Sequence, residues 1–301
     1  MERVLSRREA AGVAAGLAAA VLLPPGIAAQ TTAPPLITRP IPSSGEAVPV
    51  AGLGTAAVFD TDDDATRHAA QQVVDALVAG GGRLIDTAST YGDAESVLGA
   101  VIASYGKVFV ATKLESPDAA ELKRSLARLR TPRVDLLQLH NVSDPNQSLG
   151  QFRDWKAQGV CRYFGITSTA YRDFAAVEAV LRRERPDFVQ IDYSLGDREA
   201  EKRLLPLAAE TKVAVLTAVP FGRSRLFGAV RGKALPEWAA EFDAASWAQF
   251  FLKYLIGNPA VTAVIPGTAN PVHMTDNLGA GRGRLPDPAQ RRRMVEFIEA
   301  L

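Results

Sequence analysis

Short apolar runs alternate with longer segments of helical periodicity over most of the chain beyond residue 50. Each run is bounded by glycine, proline or charged residues, which is typical of strands buried on both faces. Alternation of this kind predicts parallel βαβ units. The predicted strands are 50–55, 83–88, 107–112, 134–139, 163–167, 188–192, 213–219 and 263–266. The predicted helices are 62–79, 95–104, 118–129, 149–157, 171–183, 199–210, 244–255, a short helix from residue 271, and 288–301.

Eight successive strand–helix pairs match a closed (β/α)8 barrel, the TIM barrel. The competing topology is a doubly wound sheet, which carries a glycine fingerprint after its first strand and an acidic residue further on. The segment Gly52-Leu53-Gly54 lacks the third glycine, and no acidic residue follows at the required distance. The predicted fold class is therefore α/β, with a (β/α)8 barrel as its architecture.

Two segments precede the barrel units. Residues 36–41 and 47–50 flank a loop rich in proline, serine and glycine at 42–46, which predicts an N-terminal β-hairpin. Residues 1–30 combine a basic start, an apolar run from Ala10 to Leu23 and small residues at Ala28-Ala29, the layout of a signal peptide. The apolar run is too short to span a bilayer comfortably.

The pair Arg7-Arg8 resembles the twin-arginine export signal, although Ala10 and Ala11 stand where that signal prefers larger apolar residues. The predicted organisation is a signal at 1–30, a linker at 31–35 and the barrel at 36–301. The expected partner of the signal is the export machinery, and the expected location is periplasmic, or cytoplasmic if the signal is not used. An amphipathic or disordered N-terminus is the alternative.

Composition excludes several classes of function. The 301 residues are 47% hydrophobic and 22% charged, which is typical of a globular protein. The formal net charge is +1, so the overall charge does not favour binding to nucleic acid or to an acidic membrane. The single cysteine, Cys161, permits no intrachain disulfide. The three histidines are scattered, and no spacing predicts a metal site.

Polar residues stand at the carboxyl ends of successive predicted strands, where barrel enzymes carry their chemistry. Asp86 ends the second strand and Tyr91 lies in the loop after it, while Lys113 and His140 follow the third and fourth strands. Taken singly, Asp86 and Lys113 fit a structural ion pair, Tyr91 a loop aromatic, and His140 a partly buried histidine. Their joint order and placement favour a catalytic group.

At these residues the chain resembles the aldo-keto reductases. The motifs that carry the resemblance are Asp86-Thr87-Ala88-Ser89-Thr90-Tyr91-Gly92, Ala111-Thr112-Lys113, Leu137-Gln138-Leu139-His140, Gly165-Ile166-Thr167-Ser168 and Ile265-Pro266-Gly267-Thr268. The resemblance runs from the hairpin to Asn277. It implies a catalytic tetrad of Asp86, Tyr91, Lys113 and His140, and a nicotinamide cofactor extended across the barrel mouth.

The implied chemistry suits these residue types. Reduction of a carbonyl needs a hydride at carbon and a proton at oxygen, and a free phenol keeps its proton up to about pH 10. The ammonium of Lys113, itself held by Asp86, would help Tyr91 release its proton, and His140 would orient the substrate oxygen. The cofactor supplies the hydride.

The resemblance also implies cofactor contacts. Thr167, Ser168 and Gln190 match positions around the carboxamide, and the loop after the seventh strand matches the pyrophosphate loop. A helix beginning near Pro271 offers its N-terminus to a phosphate. The expected cofactor-binding residues are Thr167, Ser168, Gln190, Phe221, Gly222, Arg223, Arg225, Gly267, Thr268, Asn270, His273, Asp276 and Asn277. Tyr193 fits the barrel wall at least as well as a binding role.

Two departures from the family pattern bear on the cofactor. Many relatives carry a tyrosine near the end of the seventh strand, whereas this chain offers only Phe221 in a shifted position. Relatives that prefer NADP place a lysine or arginine after the eighth strand, where this chain has Gly267, Thr268 and His273. NADP(H) is still expected ahead of NAD(H).

The predicted function is NAD(P)(H)-dependent reduction of an aldehyde or ketone, or the reverse oxidation. One alternative is a barrel that binds a dinucleotide or small ligand as a sensor or assembly subunit. Another is a phosphate-handling barrel, which leaves the grouping of Tyr91, Lys113 and His140 unexplained. Specificity is expected from the loops 59–64, 141–148 and 226–242.

Overall fold

A computed structural model of the chain describes residues 34–301. The predicted signal at 1–30 and most of the predicted linker at 31–35 lie outside the described residues. No helix within 34–301 is long and apolar enough to cross a membrane.

Eight parallel strands form one sheet in which every strand pairs with its neighbour in the sequence. The last strand returns to the first: Ala51 bridges Val264 and Gly54 bridges Gly267, both in parallel. The Gly52 N–H donates to the Val264 carbonyl at 2.9 Å, and the Gly54 N–H donates to the Pro266 carbonyl at 3.0 Å. The sheet is therefore a closed barrel, as predicted.

The barrel strands are β3 (Leu53–Gly54), β4 (Leu84–Asp86), β5 (Phe109–Leu114), β6 (Val134–Leu139), β7 (Cys161–Ser168), β8 (Phe188–Asp192), β9 (Ala214–Ala218) and β10 (Ala263–Val264). The helices are α1 (Asp64–Ala79), α2 (Ala94–Val101), α3 (Ala119–Arg128), α4 (Gly150–Ala157), α5 (Phe174–Glu184), α6 (Glu199–Lys202), α7 (Leu204–Thr211), α8 (Arg225–Ala229), α9 (Trp247–Ile256), α10 (Pro271–Gly279) and α11 (Pro288–Glu299). Single 3₁₀ turns cover Ile102–Ser104 and Tyr171–Asp173, and a longer 3₁₀ segment covers Glu237–Phe242.

The predicted hairpin is present as β1 (Thr38–Pro40) and β2 (Ala47–Pro49), which pair in antiparallel fashion. Its apolar side chains Ile41 and Val48 are buried in one cluster with inward-facing strand residues such as Leu84 and Phe109. The hairpin therefore closes the amino-terminal end of the barrel, which leaves the carboxyl-terminal end open for a site.

Polar contacts hold the hairpin to the barrel wall. The Glu46 carboxylate pairs with Arg83 at 2.9 Å and with Arg162, and it accepts a hydrogen bond from the Tyr163 hydroxyl at 2.8 Å. The Arg39 guanidinium donates to the carbonyl of Ile256 at the end of α9 and to those of Asn258 and Val261 in the segment that follows. The first strand and the turn of the hairpin are thus fixed to elements of the barrel.

Several predicted boundaries differ from the structure. The predicted helix 199–210 is two helices, because Arg203 leaves helical geometry with φ −140° and ψ −49°. The long connection after β9 contains the short helix α8 and the 3₁₀ segment Glu237–Phe242. Strand β5 continues to Leu114, so Lys113 lies within the strand. The strands β6 and β8 have their predicted bounds.

Candidate active site

A buried ion pair lies at the carboxyl end of the barrel. Asp86 is the last residue of β4 and Lys113 lies in the adjacent strand β5. The Lys113 ammonium donates to Asp86 Oδ2 at 2.6 Å and to the Thr87 carbonyl at 2.8 Å. Both side chains are almost completely buried. Two charges removed from water need this direct pairing, because an isolated buried charge is costly.

Two buried amides complete the shell around Asp86. The Gln138 amide donates to Asp86 Oδ1 at 3.4 Å and to Gln190 Oε1 at 3.1 Å. The Gln190 amide in turn donates to Asp86 Oδ2 at 3.4 Å. Burial raises the pKa of Asp86, and the Lys113 ammonium and the two amides oppose that rise.

Tyr91 and His140 lie above this pair. The Lys113 ammonium is 4.8 Å from the centroid of the Tyr91 ring. The rings of Tyr91 and His140 meet edge-on, with centroids 5.7 Å apart and an interplanar angle of 74°. Burial first, and then the nearby Lys113 charge, lowers the pKa of His140 to about 4. The structure thus brings together the four side chains that the sequence predicts as a tetrad.

A groove of about 640 Å³ opens beside these four residues. Nine predicted site residues line it: Asp86, Tyr91, Lys113, His140, Thr167, Gln190, Phe221, Arg223 and Gly267. The remaining lining residues were not predicted to bind the cofactor, and they are Gly54, Thr55, Ala56, Ala57, Val58, Asn141, Thr169, Ala218, Val219, Pro220, Ser224 and Ile265. Most of them belong to loops at strand ends.

The loop after β9 forms one wall of the groove with an unusual backbone. Val219, Gly222, Arg223 and Ser224 all have positive φ, which is costly for a β-branched residue such as Val219. The Arg225 guanidinium donates to the Gly222 carbonyl at 3.0 Å and so folds back on the loop. Burial raises the pKa of Asp192, at the end of β8, to about 6 against the opposing charges of Arg223 and Arg225.

Eight predicted cofactor residues do not line this groove: Ser168, Gly222, Arg225, Thr268, Asn270, His273, Asp276 and Asn277. The Ser168 side chain is buried and lies near the Ala170 backbone. The two oxygens of Asp276 accept hydrogen bonds from Ser246 and Gln249 of the α9 N-terminus, each at 2.7 Å. Asp276 therefore already has a structural task in joining α10 to α9.

The N-terminus of α10 has few free backbone N–H groups. Pro271 has no N–H, and the Val272 N–H is capped by the Asn270 side chain at 2.9 Å. The Asn270 N–H donates to the Thr268 hydroxyl at 3.0 Å. A phosphate at this end would meet the N–H of His273 and not a full helical turn of donors.

Gln138 is a site residue that the sequence pattern does not single out. It lies inside the apolar motif before His140, yet its amide contacts both Asp86 and Gln190. Its position two residues after the inward-facing Leu136 is the signal that identifies it, because alternate residues of a strand share a face. No group of His, Cys, Asp and Glu side chains within residues 34–301 is arranged to hold a metal ion.

The fold and the site define a (β/α)8 barrel with a buried ion pair, a tyrosine and a histidine at its carboxyl mouth. The family model described as the aldo/keto reductase family matches residues 51–294, and the chain belongs to that family. Its members are NAD(P)(H)-dependent oxidoreductases that interconvert carbonyl and alcohol groups, and this chain is an enzyme of that class.

Bacterial relatives align over most of the chain. An aldo-keto reductase of Mycolicibacterium smegmatis is 29% identical over 265 residues, which cover 83% of this chain and 86% of that protein. Methylglyoxal reductase YeaE of Escherichia coli is 30% identical over 250 residues, which cover 78% and 86%. The crystal structure of an aldo/keto reductase from Klebsiella pneumoniae, in complex with NADP and acetate, has a TM-score of 0.72 at 25% identity, covering 84% of this chain and 93% of that one.

Proposed function

We propose that this chain reduces an aldehyde or ketone with Tyr91 as the proton donor. The observation that carries the proposal is the cluster of Asp86, Lys113, Tyr91 and His140, in which a buried ammonium lies 4.8 Å from the centroid of the phenol ring. A positive charge in a dry site stabilises the phenolate that remains after proton transfer.

His140 has a different role in this proposal. Because its pKa is lowered to about 4, its imidazole is neutral at physiological pH. A neutral imidazole can donate one hydrogen bond to the carbonyl oxygen, which orients and polarises the substrate without competing for the proton of Tyr91. Asp86 and the two glutamines keep the Lys113 ammonium in place beneath the phenol.

The groove fits a nicotinamide dinucleotide, which supplies the hydride when bound. Thr167 and Gln190 line the groove near the tetrad, and Arg223 and Ser224 line it at the loop after β9. This set provides hydrogen bonds for an amide and a positive charge for phosphates. Phe221 lines the same wall and packs on Phe227, with ring centroids 4.8 Å apart.

We propose NADP(H) as the cofactor in preference to NAD(H). The support is that solved relatives at 25% identity are described with NADP and with NADPH bound. The candidate cation for the additional phosphate is Arg223, which lines the groove, because Gly267, Thr268 and His273 replace the basic residues that many relatives carry after β10. Parallel fluorescence titrations with NADPH and NADH test this preference, and equal or tighter NADH binding would contradict it.

Replacement of Tyr91 by Phe tests the catalytic assignment. We expect carbonyl-dependent oxidation of NADPH to fall by at least about a hundredfold, because a positioned proton donor contributes about 10²–10⁴-fold. NADPH quenching of protein fluorescence should be retained. The substrate panel should contain aldehydes, ketones and methylglyoxal. Full turnover in the Tyr91→Phe variant would remove Tyr91 from the mechanism, and binding without any turnover in the natural enzyme would favour the ligand-binding alternative.

We further propose that residues 1–30 direct export by the twin-arginine route to the periplasm. The support is the order of a basic start with Arg7-Arg8, an apolar run and a small-residue segment. That route carries folded proteins, so a bound cofactor can travel with the chain. A reporter fused after residue 35 should be exported, and the paired change Arg7→Lys and Arg8→Lys should block it. Export that is unaffected by this change would contradict the assignment.

A further inference from the structure

Ser89 lies two residues before Tyr91, and all three of its polar groups are bonded to neighbouring elements. Its N–H donates to the Lys113 carbonyl at 3.0 Å. Its carbonyl accepts from the Arg128 guanidinium at 3.2 Å. Its hydroxyl donates to Glu121 Oε1 at 2.6 Å. The chain that carries Tyr91 is therefore tied down at one residue to both β5 and α3.

Glu121 extends this tie to the segment that follows Lys113. The same oxygen, Oε1, accepts the Glu115 N–H at 3.0 Å, and Oε2 accepts the Ser116 N–H at 3.4 Å. A single carboxylate in the first turn of α3 therefore joins the loop of Tyr91 to the turn that ends the strand of Lys113. Hydrogen bonds to an ionised acceptor are about twice as strong as neutral ones.

Other polar contacts of the Tyr91 loop are longer. The Tyr91 N–H donates within the loop to the Ala88 carbonyl at 3.2 Å. The contact between the Thr90 hydroxyl and His140 Nδ1 is 3.5 Å long, at the limit of a hydrogen bond. After Tyr91 the chain turns through Gly92, which has φ +49°. The bond from Ser89 to Glu121 is thus the shortest polar contact that fixes this loop from outside.

We propose that Glu121, acting through Ser89, is a positioning residue that fixes Tyr91 over Lys113. The proposal rests on the proposed function and names a residue that serves it without touching substrate or cofactor. Displacement of a reacting group by about 1 Å can cost on the order of a hundredfold in rate. An acidic residue in the first turn of a helix also stabilises the helix, because its charge interacts favourably with the helix dipole. That effect does not require a bond to Ser89.

Substitution of each partner tests the proposal. We expect Ser89→Ala and Glu121→Ala each to lower kcat by about tenfold, since loss of a charge-assisted hydrogen bond has this size. KM for the carbonyl and the Kd for NADPH should not change. The double variant should be no slower than Glu121→Ala, because both changes remove one interaction. Glu121→Gln keeps one acceptor oxygen and should recover part of the loss.

A matched control lies in the same helix. Asp118 is the N-cap of α3, and its carboxylate accepts the Ala120 N–H at 2.8 Å without contacting Ser89. Asp118→Ala should lower Tm while leaving kcat unchanged. Hydrogen–deuterium exchange gives a readout independent of turnover: amides of residues 89–92 should exchange faster in Ser89→Ala and Glu121→Ala, and not in Asp118→Ala.

The outcomes separate the two proposals. Unchanged kcat and unchanged exchange in Ser89→Ala and Glu121→Ala would overturn the positioning role and leave the reductase intact. An equal loss of kcat in Asp118→Ala would overturn it as well, because the effect would then follow helix stability. Absence of turnover in the natural enzyme would contradict the proposed function, and faster exchange confined to 89–92 would still support the anchoring of the loop.

Discussion

At the scale of single residues, the site is organised by one inward-facing layer of the barrel. Asp86, Lys113, Gln138 and Gln190 each stand two residues beyond an inward-facing apolar residue of the same strand, namely Leu84, Ala111, Leu136 and Phe188. Because strand residues alternate between faces, all four point into the barrel. The polar layer therefore lies directly on the apolar interior, which removes water from one side of the ion pair.

The protonation of His140 follows from this setting. Its pKa of about 4 means that the folded protein keeps the imidazole neutral where a free histidine, with a pKa of about 6.5, would be charged. In NMR titrations of the cofactor-free enzyme, we expect the His140 ring proton to titrate near pH 4, with the signal assigned by its loss in His140→Gln. Lys113→Met should raise the midpoint by removing one cause. A midpoint near 6.5 in the natural enzyme would contradict the assignment.

The same shift predicts a contribution to acid sensitivity. The unfolded chain binds this proton at about pH 6.5, whereas the folded chain binds it only near pH 4. Acidification through that window therefore favours the unfolded state. His140→Gln should reduce the pH dependence of unfolding between about pH 6 and 4, measured in urea at several pH values.

Some site residues could be predicted from the sequence, and others could not, for a physical reason. Asp86, Lys113 and His140 follow or end apolar runs, so their polarity stands out. Gln138 lies inside such a run, and only the register of β6 shows that it faces the interior. Loop residues such as Ala57, which lines the groove with φ +54°, depend on backbone turns that no local pattern specifies.

At the scale of elements, α2 and α3 hold the back of the site. Glu95 of α2 is buried and accepts hydrogen bonds from Thr112 at 2.6 Å, from Ser125 and from Arg128 at 2.8 Å. Arg128 also reaches the Ser89 carbonyl. These contacts link both helices to the strand and the loop that carry Lys113 and Tyr91. Close packing of the two helices is therefore a condition for the geometry of the site.

Gly99 allows this close packing. A Cβ at this position would lie 2.8 Å from the backbone carbonyl carbon of Leu129 and 2.9 Å from its Cα, which real contacts essentially never show. We expect Gly99→Ala to destabilise the protein by about 2 kcal/mol or more, because the α3 terminus would have to move. Urea denaturation gives the measurement.

Gly106 provides the matched control, since a Cβ there meets nothing within 4 Å. Gly106→Ala should change the free energy of unfolding by no more than about 0.5 kcal/mol. If both variants behaved alike, the contact between α2 and the end of α3 would not constrain the fold.

The sequence predicts the presence of the strands and helices better than it predicts where each one begins and ends. Every barrel strand and its following helix were expected from apolar runs and helical periodicity. The break at Arg203 and the helix α8 were not, because both depend on tertiary contacts and not on the local pattern. The loop 226–242 shows the same effect. Its Trp238 packs on Phe242, Phe250 and Phe297 and does not line the groove, whereas its Phe227 packs on Phe221 of the groove wall.

At the scale of the whole molecule, the two ends of the barrel have different tasks. The amino end is filled by the hairpin, which is held there by the ion pairs of Glu46 and the hydrogen bonds of Arg39. The carboxyl end is open and contains the site. Between them lies a continuous apolar interior. Stability and chemistry are therefore separable by position along the barrel axis, and substitutions at the two ends should have different consequences.

Ile41 tests this separation. It is completely buried in the interior cluster at the amino end, so Ile41→Ala removes apolar atoms and leaves a cavity that the rigid barrel cannot close. We expect a loss of about 2–4 kcal/mol in the free energy of unfolding. Because Tyr91 and Lys113 lie at the opposite end, kcat and the Kd for NADPH should remain unchanged at temperatures where the variant is folded.

Val78→Ala, at a position 38% exposed on α1, serves as the control and should change the free energy of unfolding by no more than about 0.5 kcal/mol. A loss in Ile41→Ala no larger than in this control would show that the hairpin is not part of the cooperative core. A fall in kcat without a fall in stability would show instead that the two ends are coupled.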